Sequence, residues 1–327
     1  MKAIVQTEYG APDVLTLAEV EKPAVTDNGV LVKVHATSVN AGDWHLMRGA
    51  PFLARLAFGL RRPKFQTLGM DVAGRVEAVG QHVTQFQAGD EVFGDVSEYG
   101  FGAFAEYICV PQDALVIKPK NMTFEQAATV PTAALTALHG LCKCGQLQAG
   151  QRVLVNGASG GVGSFAVQIA KAFGAEVTAV CGTQKMEMMR SIGADHIINY
   201  TQTDVTKSSQ LYDLILDAAA FRSVFDYLPI LTKTGRYILV GGSTKRLFQV
   251  MLFIGPLISI MSHRTARCVI LNPNQADLTV LKGLLESGKI VPYIDRRYSL
   301  SEVPIAIRYV EERQVRGKVA ISIESES

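Results

Sequence analysis

Hydrophobic and polar positions follow two different patterns along the chain. Up to about Pro119, short apolar runs alternate with turn residues, which is typical of a β-rich domain. From Gln151 onward, continuous apolar runs alternate with stretches of helical periodicity, which predicts a doubly wound parallel sheet. The strands predicted in the first part are 29–34, 72–79, 90–94 and 105–110, and those predicted in the second are 153–155, 176–180, 196–199, 213–217, 236–240 and 267–271.

Helices are predicted where apolar residues recur every three or four positions. One begins after the N-cap candidate Thr123 and runs towards Leu141, and another follows a glycine-rich turn. Two more, 276–287 and 302–312, precede a last strand at 318–322. That strand resembles the strands predicted in the first part of the chain, so we expect it to pair with the N-terminal domain.

The glycine-rich turn lies between an apolar strand and an amphipathic helix. This order places backbone N–H groups and a helix N-terminus around a pyrophosphate. The first glycine of the G-x-G-x-x-G pattern is replaced by Ala158, and Gly157 directly before it can supply the flexibility of the tight turn. The pattern predicts a dinucleotide site formed by Ala158, Ser159, Gly160, Gly161, Val162 and Gly163.

Composition limits the classes of protein that remain. With 327 residues the chain is long enough for two domains, and its 48% hydrophobic and 19% charged residues are typical of a globular protein. The formal net charge of +2 gives no reason to predict nucleic-acid binding. The five cysteines show no disulfide or metal-binding pattern, and the first residues read as a strand rather than as a signal peptide. A cytoplasmic location is therefore expected.

The longest apolar run covers residues 247–261. It is shorter than the ~20 residues that span a bilayer, and Gly255-Pro256 interrupts it, so no membrane span is predicted. A buried or subunit-interface segment is the favoured interpretation. Contact with a membrane surface is the alternative.

Eight motifs spread over nearly the whole chain resemble one known family. They lie at 38–43, 68–74, 89–94, 103–107, 130–137, 156–163, 193–200 and 316–319. With them the chain resembles the zinc-free quinone oxidoreductase branch of the medium-chain dehydrogenase/reductase superfamily. The resemblance implies an α/β protein with a GroES-like β-rich domain, 1–122 and 273–327, and a doubly wound parallel-sheet (Rossmann) NADP-binding domain, 123–272. In such proteins the active site lies in the cleft between the domains.

The zinc ligands of the metal-binding relatives are replaced in this sequence. Their cysteine corresponds to Asn40, and their Gly-His-Glu motif to Gly69-Met70-Asp71. An amide and a thioether are poor substitutes for thiolate and imidazole at a tetrahedral zinc site. The position of the relatives' third zinc ligand corresponds to the apolar pair Ala133-Ala134 in this sequence. We therefore predict no metal.

NADPH is predicted as the cofactor because the acidic residue that selects NAD is missing. About 20 residues after the glycine turn, NAD-binding proteins place a carboxylate on the ribose 2′-OH. Here Thr183 and Lys185 stand at that place, and the family's tyrosine beside the 2′-phosphate corresponds to Tyr200. The alternative is that Lys185 is a solvated charge and Tyr200 only caps a strand. The resemblance also implies cofactor contacts at Asn40, Thr136, Gly241 and Lys318.

The candidate catalytic residues are Asn40, Asp43 and Trp44, which match a segment that lines the family's active site. Asn40 could donate a hydrogen bond to the substrate oxygen or the nicotinamide ribose, and Asp43 is expected to order the loop. Simple turn chemistry explains both residues equally well. Trp44 could wall the pocket, and His45 could donate a proton or be a surface residue. The basic and apolar segment 51–64 could be a lid or a solvated helix.

Without zinc, a substrate that delocalises the negative charge created by hydride transfer is favoured. The sequence therefore predicts a zinc-independent, NADPH-dependent reductase of quinones or α,β-unsaturated carbonyls, cytoplasmic and homodimeric. One alternative is a non-catalytic NADPH-binding interaction protein that uses 247–261 as its contact surface. Another is an NAD(P)-dependent alcohol dehydrogenase.

Overall fold

The chain forms two compact units in the computed structural model, which describes residues 1–323. The first unit contains Met1–Thr132, Asn272–Glu286 and the chain from Ile294 onward, and the second contains Ala133–Leu271 with Ser287–Tyr293. The boundary therefore lies later in the chain than the predicted one between residues 122 and 123. The reason is that the short helix after Thr123 packs on strands of the first unit.

Fifteen strands and eleven α-helices are present in the described part of the chain. The strands are β1 Lys2–Val5, β2 Thr16–Glu19, β3 Gly29–Val39, β4 Asp71–Val79, β5 Glu91–Asp95, β6 Tyr107–Pro111, β7 Leu115–Ile117, β8 Arg152–Asn156, β9 Glu176–Cys181, β10 His196–Asn199, β11 Tyr212–Asp217, β12 Leu231–Leu239, β13 Thr265–Cys268, β14 Ile294–Ser299 and β15 Lys318–Ser322. The helices are α1 Ala41–Arg48, α2 Arg55–Phe58, α3 Phe124–Ala128, α4 Pro131–Leu138, α5 Gly161–Ala172, α6 Met186–Ser191, α7 Val224–Tyr227, α8 Thr244–Gln249, α9 Gly255–Met261, α10 Gln275–Glu286 and α11 Val303–Glu311.

The first unit is built on a seven-stranded sheet in the order β14-β15-β3-β4-β5-β7, with β6 also paired to β3. The long central strand β3 is buried along most of its length, and its neighbours β4, β6 and β15 all run antiparallel to it. The pairing of β15 with β3 confirms that the last strand returns to the N-terminal part of the chain. This return brings the start of β15 beside the end of β3, where the candidate catalytic segment begins.

The second unit is built on a six-stranded parallel sheet in the order β10-β9-β8-β11-β12-β13. In chain order the strands lie 3-2-1-4-5-6, which is the doubly wound order of dinucleotide-binding domains. The inner strands β8, β9 and β11 are mostly buried, as is typical of a parallel sheet that helices cover on both faces. The prediction of a parallel α/β domain is thus confirmed.

The helix predicted from Thr123 towards Leu141 is wrong as a continuous element. Thr123 does cap α3, since its side chain accepts a hydrogen bond from the backbone N–H of Gln126. The helix stops before Pro131, where α4 begins, and a π-helical turn follows at His139–Cys144. Proline lacks an N–H and disfavours helical geometry in the residue before it, so it starts a new helix instead of continuing the old one.

The apolar run 247–261 forms an uninterrupted helical stretch of α8, a π-helical turn at Val250–Ile254, and α9. The interpretation of this run as buried within its own chain is wrong. Only Val250, Gly255 and Ile258 are buried, because the stretch touches the sheet with one side. By length and composition alone, the helix Thr244–Met261 is long and apolar enough to cross a membrane.

Candidate active site

A cluster of buried polar side chains surrounds Asp71 at the start of β4. Its Oδ2 accepts hydrogen bonds from Ser38 Oγ at 2.5 Å and from Asn40 Nδ2 at 2.8 Å. Its Oδ1 accepts from the backbone N–H and the hydroxyl of Thr132, at 2.8 and 2.7 Å. The Nζ of Lys318 lies 3.4 Å from Oδ2. Five protein donors therefore occupy the roughly four lone-pair directions of this carboxylate.

Lys318 fixes the orientation of Asn40. Its Nζ donates to Asn40 Oδ1 at 2.5 Å and lies 3.4 Å from the carbonyl oxygen of Val39. The amide of Asn40 is thus held at both ends, by Lys318 through the oxygen and by Asp71 through the nitrogen. The second hydrogen on Nδ2 has no acceptor among residues 1–323 and stays available. The structure therefore brings two predicted site residues, Asn40 and Lys318, into direct contact.

Asp43 connects the start of α1 to a neighbouring loop. Its Oδ2 accepts from the backbone N–H of Asn40 at 2.7 Å, and its Oδ1 accepts from the backbone N–H of Gly69 at 3.2 Å. Burial raises the pKa of Asp43 to about 7, and the negative charge of Asp71 adds to the increase, while the two backbone donors oppose it. These contacts hold the backbone of Asn40 in place, and a direct catalytic role of Asp43 stays a prediction.

Thr132 connects Asp71 to a second buried carboxyl, that of Asp95 at the end of β5. Its Oγ1 lies 2.7 Å from Asp71 Oδ1 and 2.7 Å from Asp95 Oδ2. A hydroxyl has one hydrogen, so it can donate to only one of them. Burial raises the pKa of Asp95 to about 6, helped by the charge of Asp71. Both short contacts become hydrogen bonds when a protonated Asp95 donates to Thr132 and Thr132 donates to Asp71.

Ser38, Asp71, Asp95 and Thr132 are cluster members that the sequence interpretation did not assign to the site. A signal existed, because Asp71 and Asp95 are acidic residues at the ends of strands whose other residues are mostly apolar. The structure shows that the two strands pair with these aspartates directly opposite each other. Two buried carboxylates that face each other would repel, so such a pair indicates that one of them is protonated or that a cation lies beside them.

Trp44 and His45 follow Asp43 on α1 and stack on each other, with ring centroids 3.6 Å apart. His45 Nδ1 lies 3.2 Å from the carbonyl oxygen of Ala50, which fits an Nδ1–H that donates to this oxygen. Burial lowers the pKa of His45, so the imidazole is neutral at neutral pH. A neutral ring whose hydrogen is already engaged is a poor proton donor. Trp44 is partly buried against the core of the first unit.

The glycine turn of the second unit shows the geometry expected of a dinucleotide site. Gly157 has φ +73°, so it performs the tight-turn role that the sequence pattern gives to the first glycine. A Cβ atom on Gly163 would lie 2.2 Å from the carbonyl oxygen of Gly157, so only glycine allows α5 to approach the turn. A Cβ on Gly160 would meet no protein atom closer than 3.6 Å. Open space thus lies in front of the helix N-terminus, where a pyrophosphate would bind.

A buried polar group supports this turn from the neighbouring strand. Asp217, at the end of β11, accepts hydrogen bonds from Asn156 Nδ2 at 2.8 Å, from Tyr237 Oη at 2.5 Å and from the backbone N–H of Ala219 at 3.0 Å. Burial raises the pKa of Asp217 despite these donors. Asn156 is the residue directly before Gly157, so the group holds the base of the turn. Sequence interpretation did not assign these residues to the site.

Predicted selectivity residues meet at the carboxyl ends of β9 and β10. Thr183 Oγ1 accepts from Asn199 Nδ2 at 2.8 Å and lies 3.3 Å from Thr201 Oγ1. The side chain of Tyr200 is 63% exposed. Lys185 is in the same short 3₁₀ turn as Thr183, Thr183–Lys185. Asn199 and Thr201 are the additional residues that the structure reveals here, on either side of Tyr200 in the sequence.

The two remaining cofactor candidates, Thr136 and Gly241, lie in the second unit. Thr136 is partly exposed on α4, although its neighbours on the helix are buried. The carbonyl oxygen of Gly241 accepts from the backbone N–H of Ala220, which joins the loops after β12 and β11. Together with the glycine turn and Thr183, Gly241 lies beyond the carboxyl ends of the parallel strands, which is where doubly wound sheets bind their ligands.

The residues at the zinc motif positions do not fit a zinc ion. Asp71 already accepts hydrogen bonds at both oxygens, and the ammonium of Lys318 lies beside it. The Met70 sulfur packs against α1, since a Cβ on Gly42 would lie 2.9 Å from it. Among residues 1–323, no three His, Cys, Asp or Glu side chains are grouped so that they could hold a metal ion.

Two family models match the chain. The alcohol dehydrogenase GroES-like domain matches residues 26–120, and the zinc-binding dehydrogenase family matches residues 192–321. The mouse protein NAD(P)H oxidoreductase RTN4IP1, mitochondrial, is 34% identical and covers 99% of this chain and 89% of its own length. The chloroplastic NADPH-dependent alkenal/one oxidoreductase of Arabidopsis thaliana is 34% identical and covers 98% of this chain and 79% of its own.

One solved structure is similar to this chain over nearly its full length. The quinone oxidoreductase from Coxiella burnetii superposes with a TM-score of 0.87, at 30% identity and with 99% of each chain covered. Its similarity extends over both units, and the sequence relatives extend over nearly the full chain at comparable identity. The chain therefore belongs to the quinone oxidoreductase branch of the medium-chain dehydrogenase/reductase superfamily.

Proposed function

We propose that this protein transfers a hydride from NADPH to a quinone or an α,β-unsaturated carbonyl compound, without zinc. The observation that carries the proposal is the buried cluster around Asp71. At the place of the metal motif it holds an internal cation, Lys318, and an oriented amide, Asn40. The names of the relatives, an alkenal/one oxidoreductase and a quinone oxidoreductase, support the same substrate class.

The cofactor would bind on the second unit through backbone N–H groups at the start of α5. The open space before Gly160 accommodates a pyrophosphate, and the helix N-terminus favours its charge. We propose that Thr183, Lys185 and Tyr200 contact the 2′-phosphate, which is supported by the lack of an acidic residue at positions 180–185. A lysine and hydroxyl groups stabilise a phosphate that a carboxylate would repel. These features support NADPH over NADH.

Lys318 makes Asn40 a stronger hydrogen-bond donor. An ammonium that donates to the amide oxygen polarises the amide, and the N–H bonds at the other end become better donors. Asp71 takes one of the two Nδ2 hydrogens, and the second can donate to an oxygen that gains negative charge. We propose that this hydrogen stabilises the enolate or hydroquinone anion formed by hydride transfer.

Substrates that delocalise charge suit this arrangement best. Hydride addition to an isolated carbonyl concentrates negative charge on one oxygen, for which a Lewis-acid metal is the usual stabiliser. Quinones and enones spread the charge over a conjugated system, so one or two hydrogen-bond donors suffice. The protein then needs mainly to hold the nicotinamide and the substrate in a reactive orientation.

The test is NADPH oxidation by the purified chain with a quinone, an enone and the matching saturated ketone. We expect turnover of the first two and not of the third, with no loss of activity after treatment with a chelator. About one zinc per chain with activity lost on its removal would show an alcohol dehydrogenase instead. NADPH binding without turnover of any compound would favour the non-catalytic alternative.

We also propose a homodimer formed through β13, the edge strand of the parallel sheet. An edge strand presents unpaired backbone groups that a second copy can pair with. The cytoplasmic location stays a prediction.

A further inference from the structure

The segment after α1, in the first unit, exposes four large apolar side chains that lie close together in the chain. We call these residues the docking face: Phe52, Leu53, Leu56 and Leu60. Phe52 is 65% exposed and Leu56 is 73% exposed. Soluble proteins rarely expose several large apolar side chains together without a partner. A solvated helix, one of the two interpretations of segment 51–64, would turn polar residues outward instead.

The inner side of the segment is anchored to the rest of the first unit. Tyr9 Oη lies 2.9 Å from the carbonyl oxygen of Phe58 and 2.7 Å from that of Gly59. The guanidinium of Arg55 lies 4.4 Å from the centre of the Tyr9 ring. The ring of Phe58 packs on that of Phe101, with centroids 6.1 Å apart. Because other residues fill the inner side, the docking face cannot turn inward without breaking these contacts.

A tight turn places basic residues beside the docking face. Gly59 has φ +111°, and a Cβ there would lie 2.0 Å from the carbonyl oxygen of Arg62, so this turn requires glycine. The backbone N–H of Lys64 donates to the carbonyl oxygen of Phe58 at 2.7 Å. The chain from Phe58 to Lys64 thus closes into a loop that begins where α2 ends.

We propose that the docking face binds the surface of an anionic phospholipid bilayer. Segments of this kind bind there when their apolar side chains enter the boundary between headgroups and acyl chains and basic residues contact the lipid phosphates. The exposed apolar residues meet the first requirement. The charges around them meet the second.

The segment around the docking face is basic. From residue 44 to residue 70 the sequence contains no Asp or Glu, but five Lys or Arg. Arg61, Arg62 and Lys64 are exposed, and none of them forms an ion pair within residues 1–323. Glu8 and Glu98 lie on adjoining segments, so the unpaired basic residues outnumber the acidic ones. The surface therefore attracts anionic headgroups.

A second copy of the chain is a poorer partner for this face. The homodimer proposed above uses β13 of the second unit, whereas the docking face belongs to the first unit. A two-fold interface at the docking face would bring Arg61 and Arg62 of one copy towards those of the other. Like charges that face each other across an interface weaken it. An anionic lipid surface is complementary to the same charges.

The experiment is co-sedimentation of the full chain with vesicles of phosphatidylcholine and phosphatidylglycerol in about equal parts, compared with pure phosphatidylcholine. NADPH and substrate are left out, so the result does not depend on the proposed hydride transfer. We expect binding to the anionic vesicles that decreases with added salt. Leu56→Glu should lower the partition coefficient by about tenfold or more, since it places a charge in the apolar boundary. Val280→Glu, at another exposed apolar position of the first unit on α10, is the matched control and should bind like the wild type.

Arg61→Gln with Arg62→Gln tests the charge contribution and should weaken binding to anionic vesicles by about tenfold. Lys120→Gln with Lys289→Gln removes the same charge at two other exposed positions and should bind like the wild type. Thermal unfolding verifies that each variant keeps its fold.

The proposal is overturned if the wild type does not bind anionic vesicles, or if it binds pure phosphatidylcholine equally well. It is also overturned if Leu56→Glu binds as well as the wild type, or if Val280→Glu loses binding to the same extent. A wild-type oligomer that Leu56→Glu alone dissociates would show instead that the docking face contacts a second copy.

Discussion

The ammonium nitrogen of Lys318 lies 2.5 Å from the amide oxygen of Asn40, although the two residues are 278 positions apart in the chain. The pairing of the last strand with the long central strand of the first unit creates this contact. It places a buried positive charge 3.4 Å from the buried carboxylate of Asp71, where it also acts electrostatically on Asp43. Stability and the candidate chemistry therefore depend on the same cation.

Replacing Lys318 by methionine should destabilise the protein by about 3 kcal/mol, because it leaves buried carboxylates without their cation. The loss is measured as the free energy of unfolding in urea. Lys22→Met is the control, since Lys22 and Glu77 form an exposed ion pair whose loss should cost less than about 1 kcal/mol. Equal stability of Lys318→Met and wild type would show that the ammonium does not stabilise the cluster.

The two raised carboxyl pKa values predict a pH dependence of stability. Asp95 and Asp43 have folded-state pKa values of about 6 and about 7, above the ordinary value of 3.8. The folded chain therefore binds these protons more tightly than the unfolded chain. Their contribution to stability is complete below 3.8 and is lost as the pH rises through about 6 and about 7.

Asp95→Asn tests this dependence at one residue. The amide can donate to Thr132 and accept from the backbone N–H of Ser97, as the protonated acid does. The variant should be more stable than the wild type by about 2 kcal/mol at about pH 8, and nearly equal to it at about pH 4. Asp13→Asn, an exposed position, is the control. A difference that does not change with pH would contradict a protonated Asp95.

Much of the fold could be predicted because its signals are local. Apolar runs such as 153–155 and 196–199 mark buried strands, and their alternation with helical patterns indicates a parallel sheet. The return of the strand at 318–322 could be predicted from its character alone. The break at Pro131 also had a local signal, the proline itself. The prediction of a continuous helix gave more weight to the apolar periodicity on both sides of it.

Other features had no local signal. The contact of Lys318 with Asn40 depends on strand pairing, and a single sequence does not specify which distant strands meet. The sequence identified Asp71 only as the residue at the last position of the relatives' Gly-His-Glu motif. Its role at the centre of the buried cluster depends on hydrogen-bond partners that come from distant parts of the chain. An apolar run such as 247–261 looks the same whether the fold covers it or leaves it exposed. Its exposure follows from the single side that packs on the sheet.

Lys185→Ala should reduce the preference for NADPH over NADH by about tenfold in kcat/KM, since it removes one charge-assisted contact to the 2′-phosphate. Lys233→Ala, at an exposed position on β12, is the control and should leave the preference unchanged. The ratio is measured from NADPH and NADH oxidation with one substrate. Equal turnover of the two cofactors by the wild type would contradict the selectivity itself.

Asn199→Ala should reduce the same preference more weakly. Asn199 positions the Thr183 hydroxyl through a 2.8 Å hydrogen bond and need not contact the cofactor itself. The expected pattern is a higher KM for NADPH with little change in kcat or in the KM for NADH. A variant that impairs both cofactors equally would show that Asn199 supports the fold of the strand end and not the phosphate contact.

Two glycines of the same turn should respond differently to alanine. Gly163→Ala places a methyl group 2.2 Å from the Gly157 carbonyl oxygen, so we expect a Tm several degrees lower and no NADPH binding. Gly160→Ala meets open space at an extended backbone position and should fold with a nearly unchanged Tm. It should nevertheless weaken NADPH binding by about tenfold or more, because its methyl group would occupy the space of the pyrophosphate. Thermal unfolding and calorimetric titration separate the two effects, and tight NADPH binding by Gly160→Ala would place the pyrophosphate elsewhere.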